Sequence, residues 1–458
     1  MKKFLTLLTA IFFLAGCYKD DVNDLKNDVN GMKDEINRLK ERMEQYENLL
    51  DAINKKLYVT NYEMKDGFYI ITLSDGSTLS VSNCVITMAN GMMTFVFADG
   101  STISIDAATP DVTITEPAGG FVFDKMKWIR IQPQVNSNGS VDCSWQLDGE
   151  KIADTKDLLH VFAKAGTYQL EFKATNGMGE SVKTITVTIN DKMYTNGIMH
   201  VYEYLPAPGQ FINTMPEATE ADTPETMRQK AETTLTGGSM ICLGGFGGYV
   251  VFGFDHTIVN REGNDFVVLG NAYSGWAEPG VILVSYDANG NGLPDDEWYE
   301  IAGSEYNKPT TIKNYEMTYY RPESEPSNPN EPDYIRWTDN RGQSGYLSKN
   351  GNHHQTYFPL WIGDSYTLKG TFMEANIYDT SGDSINWVNP PYDWGYSDNW
   401  ANNDERAQID VDWAVDKNGN PVELKGIDFV KVHTGNRADG GWLGEVSTEV
   451  SGFTDLNF

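Results

Sequence analysis

Residues 284–300, VSYDANGNGLPDDEWYE, place Asp287, Asn289 and Asn291 at alternate positions, follow them with Gly292, and close on Asp295, Asp296 and Glu297. Hard divalent cations take oxygen ligands, and an alternating Asp/Asn run with a glycine sixth turns its odd side chains onto one ion. In that pattern Asp287, Asn289 and Asn291 give side-chain oxygens, Leu293 gives its carbonyl, and Asp295, Asp296 and Glu297 are the closing acids. The twelfth position, where an EF-hand carries a bidentate acid, is Trp298, and Pro294 favours a turn over an entering helix. The loop therefore departs from an EF-hand, and the competing reading is a polar hairpin loop with Asn-Gly turns. It joins two strand-like runs, GVILVSY and EWYEIAG, with no His or Glu pair beside it to activate water. Calcium there is expected to hold structure and not to do chemistry. DKNGN at 416–420 lacks the later acids and reads as a hairpin turn.

Other constellations are less specific. GNHHQTYFPLWI carries His353 and His354; on a strand adjacent side chains face opposite ways, so one of the two is expected to face a pocket and they are not expected to share a metal. NWVNPPYDWGYSDNWANND at 386–404 packs Trp387, Tyr392, Trp394, Tyr396 and Trp400 between prolines and acids. It is too polar for a core strand and reads as a long surface loop whose aromatics offer contact area to a sugar, a flat macrocycle or a protein. The alternative has them tucking the loop onto its own sandwich. His433 precedes a loop with Arg437 and Asp439; beyond it Glu445 and Glu449, four apart, would share a strand face and are expected to meet solvent. ICLGGFGGYVVFGF at 241–254 has no Walker lysine, so its glycines are assigned to close strand packing. No motif marks a glycosidase carboxylate pair, and the chain is expected not to be an enzyme.

These residues need elements to position them. Lys2 and Lys3, an apolar run and LAGC ending at Cys17 have the layout of a secretory signal peptide over 1–16. LAGC resembles the lipobox of bacterial lipoproteins, which implies acylation of Cys17 and a membrane attachment through lipid alone. YKDD at 18–21 resembles the acidic export tag of Bacteroidota lipoproteins, which implies the extracellular face of the outer membrane. Over 17–58, Val22, Val29, Ile36, Met43, Leu50 and Leu57 alternate with Leu25, Met32, Leu39, Tyr46 and Ile53 in an unbroken 3-4 spacing. That is a coiled-coil seam, expected to form a homo-oligomer and to lift the body about 50 Å at 1.5 Å per residue. Residues 59–107 repeat an SDGST-type turn between strand-like runs and read as β-hairpin spacers. Residues 108–191 read as an immunoglobulin-like sandwich with Trp145 in its core, and GTYQLEFKATNGMG resembles the PKD repeat. Residues 192–458 are expected to form a β-sandwich or jelly-roll-like ligand-binding domain, with one helix at 222–235 capped by Thr223. The expected fold is mainly β.

The charge is −30, from 35 basic and 65 acidic residues, which opposes nucleic acid and anionic membrane. Cys84, Cys143 and Cys242 are dispersed and suggest neither a disulfide framework nor a zinc site. YLPAPGQFIN, LGGFGGYVVFGFDHTIVN, the segment 265–305 and GIDFVKVHTGN with GWLGEVSTEVSG together resemble a family of Bacteroidota cell-surface lipoproteins found in outer-membrane uptake loci of the cobalamin type. The resemblance implies a non-catalytic surface protein that binds an extracellular nutrient, a corrinoid (cobalamin) first, and works with a TonB-dependent transporter. Glycan binding and adhesive display are the alternatives.

Overall fold

The structure, a computed structural model, describes residues 2–89, 91–137 and 140–458, with side chains from Val22 onward. The expected signal peptide 1–16 and the lipidation site Cys17 lie outside the residues whose side chains are described. The chain is mainly β with one long N-terminal helix. It divides into two compact units: Met1–Phe121, Arg130–Leu158 and Thr167–Val187 in one, Val122–Ile129, Leu159–Gly166 and Thr188–Phe458 in the other. The segment expected as one domain, 108–191, contributes to both.

In the first unit the helix Lys2–Asn54 leaves Val22, Leu25, Val29, Met32, Ile36, Leu39, Met43, Leu50 and Ile53 exposed. Leu49 and Ala52, buried on a neighbouring face, pack on the hairpin sheets together with the half-buried Tyr46 of the seam. Side chains one position apart point about 100° apart on a helix, so docking through Leu49 leaves the heptad stripe open. Among the described residues no helix is long and apolar enough to cross a membrane.

Each expected hairpin is a three-stranded antiparallel sheet: Val59–Lys65, Phe68–Leu73 and Thr78–Val81, then Cys84–Ala89, Met92–Phe97 and Thr102–Asp106. The repeated Asp-Gly has a local cause. Gly76 and Gly100 take φ of 82° and 83°, and Asp75 and Asp99 accept the Ser77 and Ser101 N–H at 3.0 and 2.9 Å. Farther along, Asp142–Leu147 pairs with Glu150–Ala153 and Gly166–Asn176, which neighbours Gly179–Asn190. Trp145 is fully buried there, 4.8 Å from the Phe172 ring, and its indole N–H reaches the Lys156 carbonyl at 3.0 Å. It is the core tryptophan that the sequence predicts.

The second unit is built on a six-stranded antiparallel sheet in the order His200–Leu205, Tyr249–Val259, Gly426–Thr434, Gly280–Ser285, Tyr299–Ile301, Ala414–Val415. Its central strands read VVFGF and VILVS because both faces are covered, which removes the usual apolar–polar alternation. One side packs on the helix Pro224–Thr236, whose Met227, Ala231 and Leu235 join Phe252, Ile282 and Val430 in the main core. Thr223 and Thr226 close a reciprocal cap on that helix and Pro224 begins it. The other side packs on a four-stranded sheet ordered Ser344–Lys349, Glu331–Asp339, Ile312–Tyr320, Ser365–Phe372. Phe246 bridges the layers, 5.1 Å from Tyr315 in the four-stranded sheet and 6.1 Å from His433 in the six-stranded one. Each large apolar side chain buried this way contributes about 1.5–3 kcal/mol. A Cβ on Gly248 would overlap the Leu243 carbonyl, so the glycine-rich segment folds back on itself through close packing, as expected.

Candidate functional site

The strand register sets the geography. Gly280 pairs with Thr434 and Ser285 with Phe429. The loop leaving Thr434 and the loop entering Gly280 therefore share one end of the sheet, and the acidic loop after Ser285 starts from the other. Five steps of about 3.3 Å put roughly 16 Å between those ends.

At the far end, the acidic loop is closed by its own hydrogen bonds. Asp287 accepts backbone N–H groups from Gly290 (2.7 Å), Asn291 (3.0 Å) and Gly292 (3.0 Å). Asp296 accepts from Ala288 at 2.9 Å. Asn289 and Asn291 accept the Asn291 and Leu293 N–H and donate to Asp295 at 2.8 and 2.9 Å. Those amides, Asn291 first, hold the Asp295 carboxyl below its ordinary range. The Glu297 carboxylate accepts the Tyr299 hydroxyl at 3.3 Å, and its carbonyl accepts the Ser285 hydroxyl at 2.8 Å. The base is fixed by Asp428, which accepts from Asp287 N (2.8 Å), Thr257 (2.6 Å) and the Trp128 indole (2.6 Å). Carboxylate and amide oxygens are of the type that suits a hard cation, and here N–H groups of the loop itself meet them. The DKNGN segment is a tight turn in which Gly419 N–H meets the Asp416 carbonyl at 2.9 Å.

At the near end, three segments bring Glu278, Asp398 and Glu449 together, with carboxylate oxygens within 4.8 Å of one another. Glu278 stands just before Gly280, and Asp398 follows Ser397, which bridges to Gly280. Glu449 pairs with Cys242 across a two-residue ladder. Asp398 accepts the N–H groups of Asn271 (2.7 Å), Ala272 (2.8 Å) and Glu449 (2.9 Å). Glu449 accepts the Ser447 hydroxyl at 3.0 Å, and Glu278 the Trp276 indole at 3.2 Å. Among the described residues no lysine or arginine pairs with any of the three. Burial first, and the neighbouring carboxylates second, push all three well above the ordinary carboxylate range. Such a group holds shared protons at neutral pH, and its oxygens are also of the type that holds a hard cation. Burial and the adjacent Glu449 likewise raise the Cys242 thiol.

Beside it lies a cavity of about 280 Å³, lined by Tyr319, Trp337, Tyr346, Arg437, Asp439 and Glu445. The Arg437 guanidinium stacks 3.9 Å above the Trp337 ring. Asp439 accepts the Ser348 hydroxyl at 2.9 Å and Gly441 N–H at 2.7 Å. Glu445 is only 6 % exposed; Oε1 accepts Gln210 N–H at 2.7 Å and Oε2 has no partner. Burial raises its carboxyl well above the ordinary range.

Several expectations are corrected here. Glu445 and Glu449 do not meet solvent: both are buried, and only Glu449 lies in a strand. His353 and His354 are on a loop, not a strand, so strand alternation does not apply. His353 is half-buried edge-on to Phe211 at 4.9 Å, and His354 is exposed. Asn352 donates to the Trp442 carbonyl at 3.1 Å, which brings this loop to the cavity end. The aromatic loop is not all surface. Tyr392 and Tyr396 are buried with Val281 and Met373, and their hydroxyls meet the Glu374 carbonyl (2.6 Å) and Glu305 N–H (3.0 Å). Trp400 is half-buried under the Arg406 guanidinium, 3.3 Å away. Trp387 is half-buried, its indole on the Ser384 carbonyl at 3.2 Å, and Trp394 is exposed beside Trp413. His433 is buried and neutral, its pKa lowered to about 4 by burial. Glu278, Asp398 and Trp337 were not singled out by the sequence; no local spacing marks them, because their neighbours arrive from distant segments.

Comparison with known proteins places little of this chain. The family model of a domain of unknown function, DUF4988, matches residues 18–85. No curated protein matches. Among solved structures, the tandem Ig repeats of Dlar are similar at 10% identity over 30% of this chain and 92% of that one, with a TM-score of 0.17. The N-terminal four Ig domains of Dscam1 isoform 7.44 give 16% identity, 29% of this chain, 38% of theirs and a TM-score of 0.16. A quinoprotein alcohol dehydrogenase-like protein from Bacteroides thetaiotaomicron gives 9% identity, 52% and 49% coverage, and 0.17.

Proposed function

We propose that this chain is a surface-displayed lipoprotein, anchored through Cys17, whose C-terminal domain binds an extracellular nutrient without catalysis and passes it to a TonB-dependent transporter. The observation that carries the reading is the cavity at the near end of the sandwich. It combines aromatic side chains (Trp337, Tyr346) with polar hydrogen-bonding groups (Arg437, Asp439, Glu445), the combination that small polar ligands use. Its volume of about 280 Å³ favours a sugar unit over a corrinoid. A corrinoid would have to rest outside it, near His354 and the exposed Trp442. The geometry therefore favours the glycan alternative. Calcium in the loop 287–297 would serve as a structural ion remote from the cavity.

The test is calorimetric titration of the full chain with a saccharide panel and with cyanocobalamin. Saturable heat with a saccharide and none with cyanocobalamin is expected. The reverse pattern restores the corrinoid reading, and silence from both leaves adhesive display. The open stripe from Val22 to Ile53 supports self-association through a second helix copy.

A further inference from the structure

We propose that the cavity selects an acidic sugar unit, whose carboxylate is met by Arg437 while its ring lies against the exposed Tyr346. The proposal rests on the binding function just given and adds a ligand class to it. Arg437 is exposed in the cavity wall. Among the described residues no carboxylate lies within ion-pair distance of its guanidinium. Asp439, its neighbour in the cavity wall, is occupied by Ser348 and Gly441 N–H. The guanidinium carbon lies 3.9 Å from the Trp337 ring centroid, and a guanidinium's fork of N–H donors suits a planar anion.

The cavity floor fits the same ligand. A charged Glu445 would repel a carboxylate. Burial raises the Glu445 carboxyl well above the ordinary range, which favours its uncharged form. Its Oε1 accepts Gln210 N–H, and Oε2 is buried with no hydrogen-bond partner among the described residues. A neutral sugar would use Tyr346 and leave the guanidinium without an anion. A cationic ligand would face Arg437 and find no charged acid at the floor.

The probes are D-galacturonate and D-glucuronate, with galactose and the uncharged galacturonamide as references, titrated calorimetrically into the full chain. Arg437 is exposed, so Arg437→Met leaves the fold intact. At least tenfold tighter binding of a uronate than of galactose and the amide is expected, with the preference lost in Arg437→Met and weakened in high salt. Equal affinity for charged and uncharged sugars overturns the acidic-sugar proposal while the glycan reading stands. A uronate preference that survives Arg437→Met also overturns it. No binding of any of the four overturns this proposal and, if the wider saccharide panel is silent as well, the glycan reading with it.

Discussion

Two acid-rich places in the second unit obey opposite physics. The loop at 287–297 gathers its acids within a few residues, at a tip where water and backbone N–H groups solvate them, and Asp295 is held below its ordinary pKa. The cluster of Glu278, Asp398 and Glu449 gathers its acids from segments more than a hundred residues apart in part, and all three are held above theirs. The loop stabilises negative charge and the cluster resists it. Acidic composition thus says little about what an acid does; the number of N–H donors and the access of water decide.

The largest test removes the anchor of the cluster. Asp398→Ala leaves the N–H groups of Asn271, Ala272 and Glu449 without their acceptor at a buried site. The expected loss is about 3 kcal/mol or more, read by urea denaturation of the second transition. A loss under about 1 kcal/mol, the ordinary surface range, would mean that water replaces the carboxylate and that the cluster is wetter than described.

A smaller effect separates the two places by sign. A carboxyl whose folded pKa is raised binds more protons folded than unfolded, so its contribution is full below the unfolded value and is lost as pH rises through the folded one. The cluster therefore predicts a melting temperature that falls from about pH 5 to about pH 8, as its shared protons are lost. Glu449→Gln should flatten that slope, because one proton-sharing partner is gone. Asp287→Ala should leave it unchanged. A slope that is the same in wild type and Glu449→Gln places the titration elsewhere.

The same contrast explains what was legible in the sequence. Local devices were: the Asp-Gly turns, the Thr223 cap, core Trp145, the acidic loop and the close-packed glycines each follow from residues a few positions apart. The mainly β class followed from apolar runs and turn residues. The near-end site was not legible, because Trp337, Glu278, Asp398 and Glu445 become neighbours only through sheet register. The aromatic loop shows the intermediate case. Its composition says surface, yet two tyrosine hydroxyls find backbone partners at 2.6 and 3.0 Å, and satisfied hydroxyls let Tyr392 and Tyr396 enter the core. The heptad seam was legible as a pattern, but which face the helix docks on was decided by Leu49 and Ala52, outside the seam.

The smallest effect belongs to the loop, and it bears on the question that its spacing raises. Asp287→Ala frees three N–H groups at an exposed tip, where water takes them over, so it should cost only about 1 kcal/mol without calcium. With free calcium at ten times its dissociation constant, wild type should gain about 1.4 kcal/mol more and the variant nothing. If millimolar calcium leaves the wild-type melting curve where it was, the loop is a hairpin closed by its own hydrogen bonds, and its alternating acids serve the turn alone. In either case the sugar affinity of Asp287→Ala should match wild type. The register places the loop and the cavity at opposite ends of the Gly280–Ser285 strand, and only a contact through the sheet itself would make one depend on the other.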